Sequence, residues 1–333
     1  MSDVPTHANQ SVISSHRSTL IWLAVLSLVL LYCFGNSLSM LWTEHWNDPQ
    51  YSHGYLVPVF ALILLWMRWD RSSLQKFDEV PAAARWWGAG LLAAGLSWRL
   101  IAARFGMEVP EMVSFLPSLA GIVLLVGGWR LFIWSGPVIA FLVFMFPLPW
   151  TLSQKILVPL QGIATRGSTY LLQAMGYGAY REGNIIHIAG VPMEVVDACS
   201  GLRMLTVFLA LCGAVALIIE RPLWERLLVF VSAVPIALAV NITRITTTGM
   251  AYYHLGPSAT EWVEKVFHDQ AGLLMMPLAM GFLFAEIWIL GKLFVEDLSE
   301  VHAAKPVKTA ASPLGGTSQR RVDPLGQRRT ARS

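Results

Sequence analysis

Three residues of reactive type, Cys199, Arg244 and His268, are far apart in this sequence, yet each stands where a polar stretch meets a long apolar run. Cys199 lies in EVVDACSGLRML beside Ser200, a residue type that caps helices, and Gly201. Free backbone N–H groups and the helix dipole at such a start lower a thiol pKa and favour the thiolate. Arg203, four residues on, shares the helical face and adds a fixed positive charge. A nucleophilic cysteine also needs a proton-handling group and a donor for the developing oxyanion. NITRITTTG offers Asn241 and Arg244, three apart on one face, and VFHDQAGLL offers His268. Each has a plainer alternative: a structural cysteine at a helix cap, a snorkelling arginine, and an interfacial histidine. Cys33 and Cys212 sit inside apolar runs and read as inert small hydrophobes. Asp197 can orient a partner but opposes thiolate formation. His53, His187 and His254 share the outer side, and of these His53 is kept as a supporting candidate. No two histidines have the i, i+4 spacing of the zincin type, so neither metal nor cofactor is expected.

The elements that must position these residues are membrane helices. Of 333 residues, 55% are hydrophobic and only 14% charged, too apolar for a water-soluble domain. The fold class expected is an all-α integral membrane protein. About eight transmembrane helices are read near Leu20–Gly35, Tyr55–Trp69, Trp86–Ala103, Val113–Gly128, Leu131–Trp150, Leu202–Ile219, Leu223–Val240 and Gly272–Leu290. The long outer stretch from Thr151 to Asp197 opens with Leu152, Ile156, Leu160 and Ile163 at helical spacing, which suits a periplasmic amphipathic helix on the membrane surface. NIIHIAGVPMEVV, β-branched and broken at Ala189-Gly190, reads as a small β-hairpin element before the sixth span. Three regions follow: a polar N-terminus over 1–18, a catalytic membrane domain over 19–295, and a basic disordered tail over 296–333. The N-terminus has no small-residue cleavage site, so its apolar block is read as a retained span.

Lysine and arginine set the orientation. With the N-terminus cytoplasmic, Arg71, Lys76, Arg85, Arg130, Arg221, Arg226 and the basic tail all face inward, and the outer loop Asn36–Gly54 has no lysine or arginine. Arg99 and Arg104 are the exception, offset in part by Glu108 and Glu111. Both termini are then cytoplasmic, and Cys199, Arg244 and His268 converge at the outer ends of three helices. The net charge of +3 comes mostly from the tail, a solvated segment, and no nucleic-acid partner is expected. The residues alone leave open two further readings: a transporter, for which charges at mid-span would be expected rather than at span ends, and an acyltransferase with a catalytic histidine.

The set DACSGLR at Asp197–Arg203, NITR at Asn241–Arg244 and FHDQAG at Phe267–Gly272 resembles the exosortases, bacterial relatives of the archaeosortases. YSHGYLVP at Tyr51–Pro58 and FPLPW at Phe146–Trp150 reinforce the likeness, which spans roughly residues 20–290. The resemblance implies a membrane cysteine transpeptidase or protease of the bacterial inner membrane, its site facing the periplasm. Its partners would be membrane-anchored proteins carrying a C-terminal sorting signal of the PEP-CTERM type, membrane lipid, and an acceptor amine or water. By the same resemblance Cys199 is the nucleophile, Arg244 stabilises substrate or oxyanion, and His268 is the general acid or base.

Overall fold

A computed structural model describes residues 6–48, 50–69, 80–195, 201–256 and 271–293, with side chains of the first helix from Ser18 onward. Helices α1 (Thr6–Cys33) and α2 (Gly35–Met40) meet at Phe34, and the chain bends there by 67° between Ser18–Cys33 and Gly35–His45. After a π turn at Leu41–His45 and a 3-10 turn at Ser52–Tyr55 comes α3 (Leu56–Met67). Next are α4 (Ala82–Arg104), α5 (Glu108–Val113) and α6 (Phe115–Phe141).

Helix α6 is broken at Gly128, whose φ of 68° and ψ of −171° belong to a region open in practice to glycine alone. Long-range contacts show that the chain turns back there. Ser37 Oγ donates to Glu111 Oε1 at 2.8 Å, and Trp46 Nε1 donates to the Met145 carbonyl at 2.9 Å. Ser37 and Trp46 are about 14 Å apart at most along a helix, whereas an unbroken helix would carry Glu111 and Met145 about 51 Å apart. The expected boundary between a span ending at Gly128 and one starting at Leu131 falls on this break.

Helix α4 lies along the first half of α6 by way of small residues. A Cβ on Gly121 would stand 2.6 Å from Leu92 N, and one on Gly95 would stand 2.9 Å from Ser118 N. Such close backbone approach is how helices pack where hydrocarbon surrounds them and no hydrophobic force draws them together. Arg99, inside α4, is held by Glu111 at 3.7 Å and stacks over the Phe34 ring at 4.4 Å.

The second half of the molecule begins with α7 (Trp150–Ala174), then β1 (Ala179–Glu182), β2 (Ile185–Ile188) and β3 (Val191–Glu194). The strands form an antiparallel meander in the order β1-β2-β3. The expected hairpin thus gains a third strand, and its Ala189-Gly190 turn, with φ of 51° and 80°, has the two positive angles that a tight two-residue hairpin turn requires. Ile186, Ile188, Val191, Met193 and Val195 form the buried face, packed with Ile245 and Tyr252. Helices α8 (Gly201–Ile218), α9 (Leu223–Val231), α10 (Ala233–Leu255) and α11 (Ala271–Leu293) complete the order.

The amphipathic stripe of α7 is left outward at Leu152 and Ile163, free to meet lipid, while Ser153, Gln161, Thr165, Ser168 and Thr169 turn inward. Ser168 Oγ meets the Ile242 carbonyl at 3.2 Å, and a Cβ on Gly249 would touch Leu172 at 3.0 Å. The register advances along both chains, so α7 and α10 run parallel.

One expectation changes and another is met in part. The seventh span does not end near Val240: α10 continues to Leu255, its far half anchored by Ile245 and Tyr252 in the cluster under the sheet, while Thr243, Thr246, Thr247 and Thr248 satisfy their hydroxyls on carbonyls three or four residues earlier. By length and apolarity, three helical stretches among the described residues are fit to cross a membrane, Glu108–Met145, Leu223–Leu255 and Met275–Leu293, and the bent α1–α2 pair makes a fourth. The shortfall from eight has physical causes. Ser52–Met67 and Arg203–Ile218 are apolar but short, α4 carries Arg85, Arg99 and Arg104, and Glu108–Met145 contains the Gly128 reversal. Contacts group residues Met1–Leu290 into one compact unit; the second unit starts at Gly291, and its described residues are the last turn to Leu293.

Candidate functional site

Asn241 and Arg244 stand together in the middle of α10, 4% and 6% exposed. An arginine stays ionised in almost any surroundings, and burying its guanidinium costs several kcal/mol before its partners repay it. The helix backbone beneath it is well secured, since Thr247 and Thr248 both donate to the Arg244 carbonyl, at 2.8 and 2.9 Å. Asn241 Oδ1 is buried and meets no hydrogen-bond donor among the described residues, and the buried amide nitrogen of Gln161 on α7 meets no acceptor among them. Buried amides in that condition are acceptors and donors in waiting.

Cys199, Ser200 and Asp197 lie outside the described residues, as does His268. The chain on either side of the 196–200 stretch is described. Val195 is fully buried in the apolar cluster that holds Ile245 and Tyr252, and Met204 and Leu205 belong to the cluster that holds Ala237 and Val240. Both flanks therefore pack in clusters that share α10 within a turn or so of Asn241 and Arg244. Arg203 is in the first turn of α8, exposed, with its carbonyl taken by Thr206 at 3.1 Å.

His53 is placed elsewhere. It is 8% exposed in the 3-10 turn ahead of α3, where burial pushes its imidazole below the ordinary pKa, against a smaller opposing effect of its hydrogen bond with the Phe144 carbonyl. Beside it, a Cβ on Gly54 would overlap the Trp46 ring, whose Nε1 holds the Met145 carbonyl, so YSHGY ties the first outer turn to residues 142–146. The contacts of His53 are thus with that tie and not with Asn241 or Arg244.

What the sequence reading did not single out is the inward polar row of α7, with Gln161, Thr165, Ser168 and Thr169. Its signal was the i, i+4 recurrence of small polar residues opposite the apolar stripe. A second unforeseen feature is Glu286, inside α11 and not at its end, whose carboxylate accepts from Ser232 Oγ at 2.6 Å. Charges therefore do not all crowd at span ends. No cluster of three or more His, Cys, Asp or Glu side chains fit to hold a metal is found among the described residues.

No curated protein and no solved structure matches the chain. A family model does: the transmembrane exosortase model (Exosortase_EpsH) matches residues 42–285, from the π turn into the last helix, and takes in both flanks of the 196–200 stretch together with Asn241 and Arg244. Nearly three quarters of the sequence lies within that match, and the chain belongs to the transmembrane exosortase family.

Proposed function

We propose that this membrane protein is a cysteine transpeptidase or protease that cleaves the C-terminal PEP-CTERM-type sorting signal of exported, membrane-anchored proteins. The observation that carries this reading is the buried Asn241–Arg244 pair on α10, whose neighbours Ile245 and Val240 pack in the clusters that hold the two flanks of the segment bearing Cys199. In the mechanism we favour, the Cys199 thiolate adds to the carbonyl carbon of the scissile peptide bond, and a C–S bond forms as the carbonyl π electrons move to oxygen. Arg244 stabilises that oxyanion as a fixed cationic donor. Collapse of the adduct breaks the C–N bond, and His268 supplies the proton that the leaving amine takes up. The thioester on Cys199 is then resolved by an acceptor amine or by water, whose proton returns to His268. Arg203, exposed at the start of α8, and Ser200 favour the thiolate and meet acidic residues of the signal; Asn241 supports Arg244 and His53 supports the outer turn. Eight crossings of the bacterial inner membrane, both termini cytoplasmic and the site facing the periplasm, are part of the proposal.

The test is co-expression with a tagged substrate ending in such a signal, its size followed on a gel. Wild type cleaves it. Cys199→Ala, Arg244→Ala and His268→Ala leave it whole while accumulating normally in the membrane. Continued cleavage by Cys199→Ala would remove the nucleophile from the mechanism.

A further inference from the structure

A cavity of about 600 Å³ lies between α1, α3 and the two halves of α6, far from Asn241 and Arg244 in the chain and lined almost wholly by apolar side chains. Leu23 and Leu31 form its α1 wall, Ala61 its α3 wall, and Val123 and Val138 the wall given by α6. It runs lengthwise: the stretch from Leu131 to Met145 that borders it is about 21 Å long at 1.5 Å per residue. At roughly 30 Å³ for each methylene-sized group, near the share of a liquid water, the space takes about twenty such groups. Water gains little there, since it needs two to four polar partners that the walls do not offer.

The two ends of the cavity differ. At one end Trp69 and Trp134 meet edge to face at 6.2 Å, and Trp134 Nε1 donates to the Arg68 carbonyl at 3.1 Å. The backbone of Arg68 is thus fixed next to that mouth, and Arg85 and Arg130 belong to the same end of the bundle, where Val80 and Pro81 approach Gly128. Every described carboxylate of the first 145 residues, on Glu44, Asp48, Glu108 and Glu111, belongs to the opposite end; Asp70, Asp78 and Glu79 lie outside the described residues. An aromatic pair with cations beside it is the usual surrounding of a lipid headgroup. A way in exists as well, because Leu20 on α1 and Leu62 on α3 line the cavity and are 48% and 67% exposed on the outer surface of the bundle.

We infer that this cavity is a binding site for one phospholipid, an acyl chain lying between α1, α3 and α6 and an anionic headgroup at Arg68. The lipid is a resident of the scaffold and takes no part in bond cleavage.

The experiment is mass spectrometry of lipid that survives extensive detergent washing of the full-length purified protein, offered phosphatidylglycerol and phosphatidylethanolamine in equal amounts. The result expected is close to one phospholipid per chain, enriched in phosphatidylglycerol. Filling the cavity with Ala61→Trp or Val138→Trp should lower it at least tenfold, and Arg68→Gln should abolish the enrichment. Val59→Trp adds the same bulk to the exposed side of α3 and should keep the lipid. As a check that does not depend on those variants folding, wild type is photolabelled with diazirine-bearing phosphatidylglycerol; label saturating at one per chain on peptides of α1, α3 and α6 is expected. Lipid retained by the filled variants, equal loss from Val59→Trp, unsaturable labelling, or recovery of a peptide in place of lipid would each overturn the proposal.

Discussion

Gly88→Ala on α4 should loosen the contact between α4 and α6. A Cβ there overlaps Leu125 N and lies 2.7 Å from Leu125 Cα and 2.9 Å from its Cβ, against about 3.5–4.0 Å for ordinary carbon contacts. The obstacle is backbone, which cannot rotate aside, so the helices must separate by about 1 Å. A gap of that size forfeits a quarter to a half of each dispersion contact; for on the order of 40 atom pairs at ~0.15 kcal/mol the loss is about 2 kcal/mol. That agrees with the ~1–3 kcal/mol usual for overpacking. Gly121→Ala meets Leu92 N at 2.6 Å and the Gly88 carbonyl at 2.9 Å, so it strains the same cleft from the other side. Once one substitution has opened the cleft the second costs less, and the double variant should lose clearly less than the sum. Gly90 is the internal control: it is on α4, a Cβ there has nothing within 4 Å, and alanine should be neutral or slightly stabilising. The assay is thermal unfolding in detergent followed by tryptophan fluorescence, where 2 kcal/mol corresponds to roughly 3 °C for a unit of this size. Equal melting of Gly88→Ala and Gly90→Ala, or full additivity in the double variant, would refute the close-approach argument.

Arg244→Lys keeps the charge but loses the planar fork, and processing should fall by roughly 10²–10³-fold, as when an oxyanion donor is removed, with membrane levels unchanged; a parallel fall in melting temperature would mean that Arg244 serves the fold instead. Ser232→Ala leaves the Glu286 carboxylate without its 2.6 Å bond and should cost about 0.6–1.7 kcal/mol in thermal unfolding, and Glu286→Gln should cost less. Burial holds the His53 imidazole below its ordinary pKa of 6.5, so the unfolded chain takes up this proton before the folded one does. The contribution to stability is therefore constant above pH 6.5 and declines as pH falls below it. Comparing wild type with His53→Gln at pH 7.5 and 5 should show a smaller acid-side drop in melting temperature for the variant, and equal drops would contradict the sign.

Much of the helical order could be read from apolar blocks, and the reversal at Gly128 was visible as Gly127-Gly128 between two such blocks. The end of α10 could not be read in that way, because NITRITTTG has the composition of a turn, and its helix depends on the packing of Ile245 and Tyr252 against the sheet, which no local pattern shows. Strand β1 was hidden because AYRE has no β-branched residue; its place depends on pairing with Ile185–Ile188. The i, i+3 spacing of Asn241 and Arg244 was legible and the two do share α10, but their depth was not, since burial depends on α7 and α8 packing on either side. The tie from Trp46 to Met145 joins residues 99 apart, and no local pattern announces it.

Gly128 has a consequence for how the chain enters a bilayer. Residues 115–145 form an apolar string with a single charge, Arg130, and whether an insertion machine threads it once or twice decides on which side every later segment emerges. The doubled passage depends on a backbone angle that costs any other residue about 1–3 kcal/mol. A side chain at this position would press toward a single straight crossing, and a change of one in the number of crossings inverts the sidedness of α7, the sheet and the Asn241–Arg244 pair together. The handedness of one glycine, more than a hundred residues upstream of that pair, thus sets the topological parity on which, in the function proposed above, its exposure to an exported protein depends.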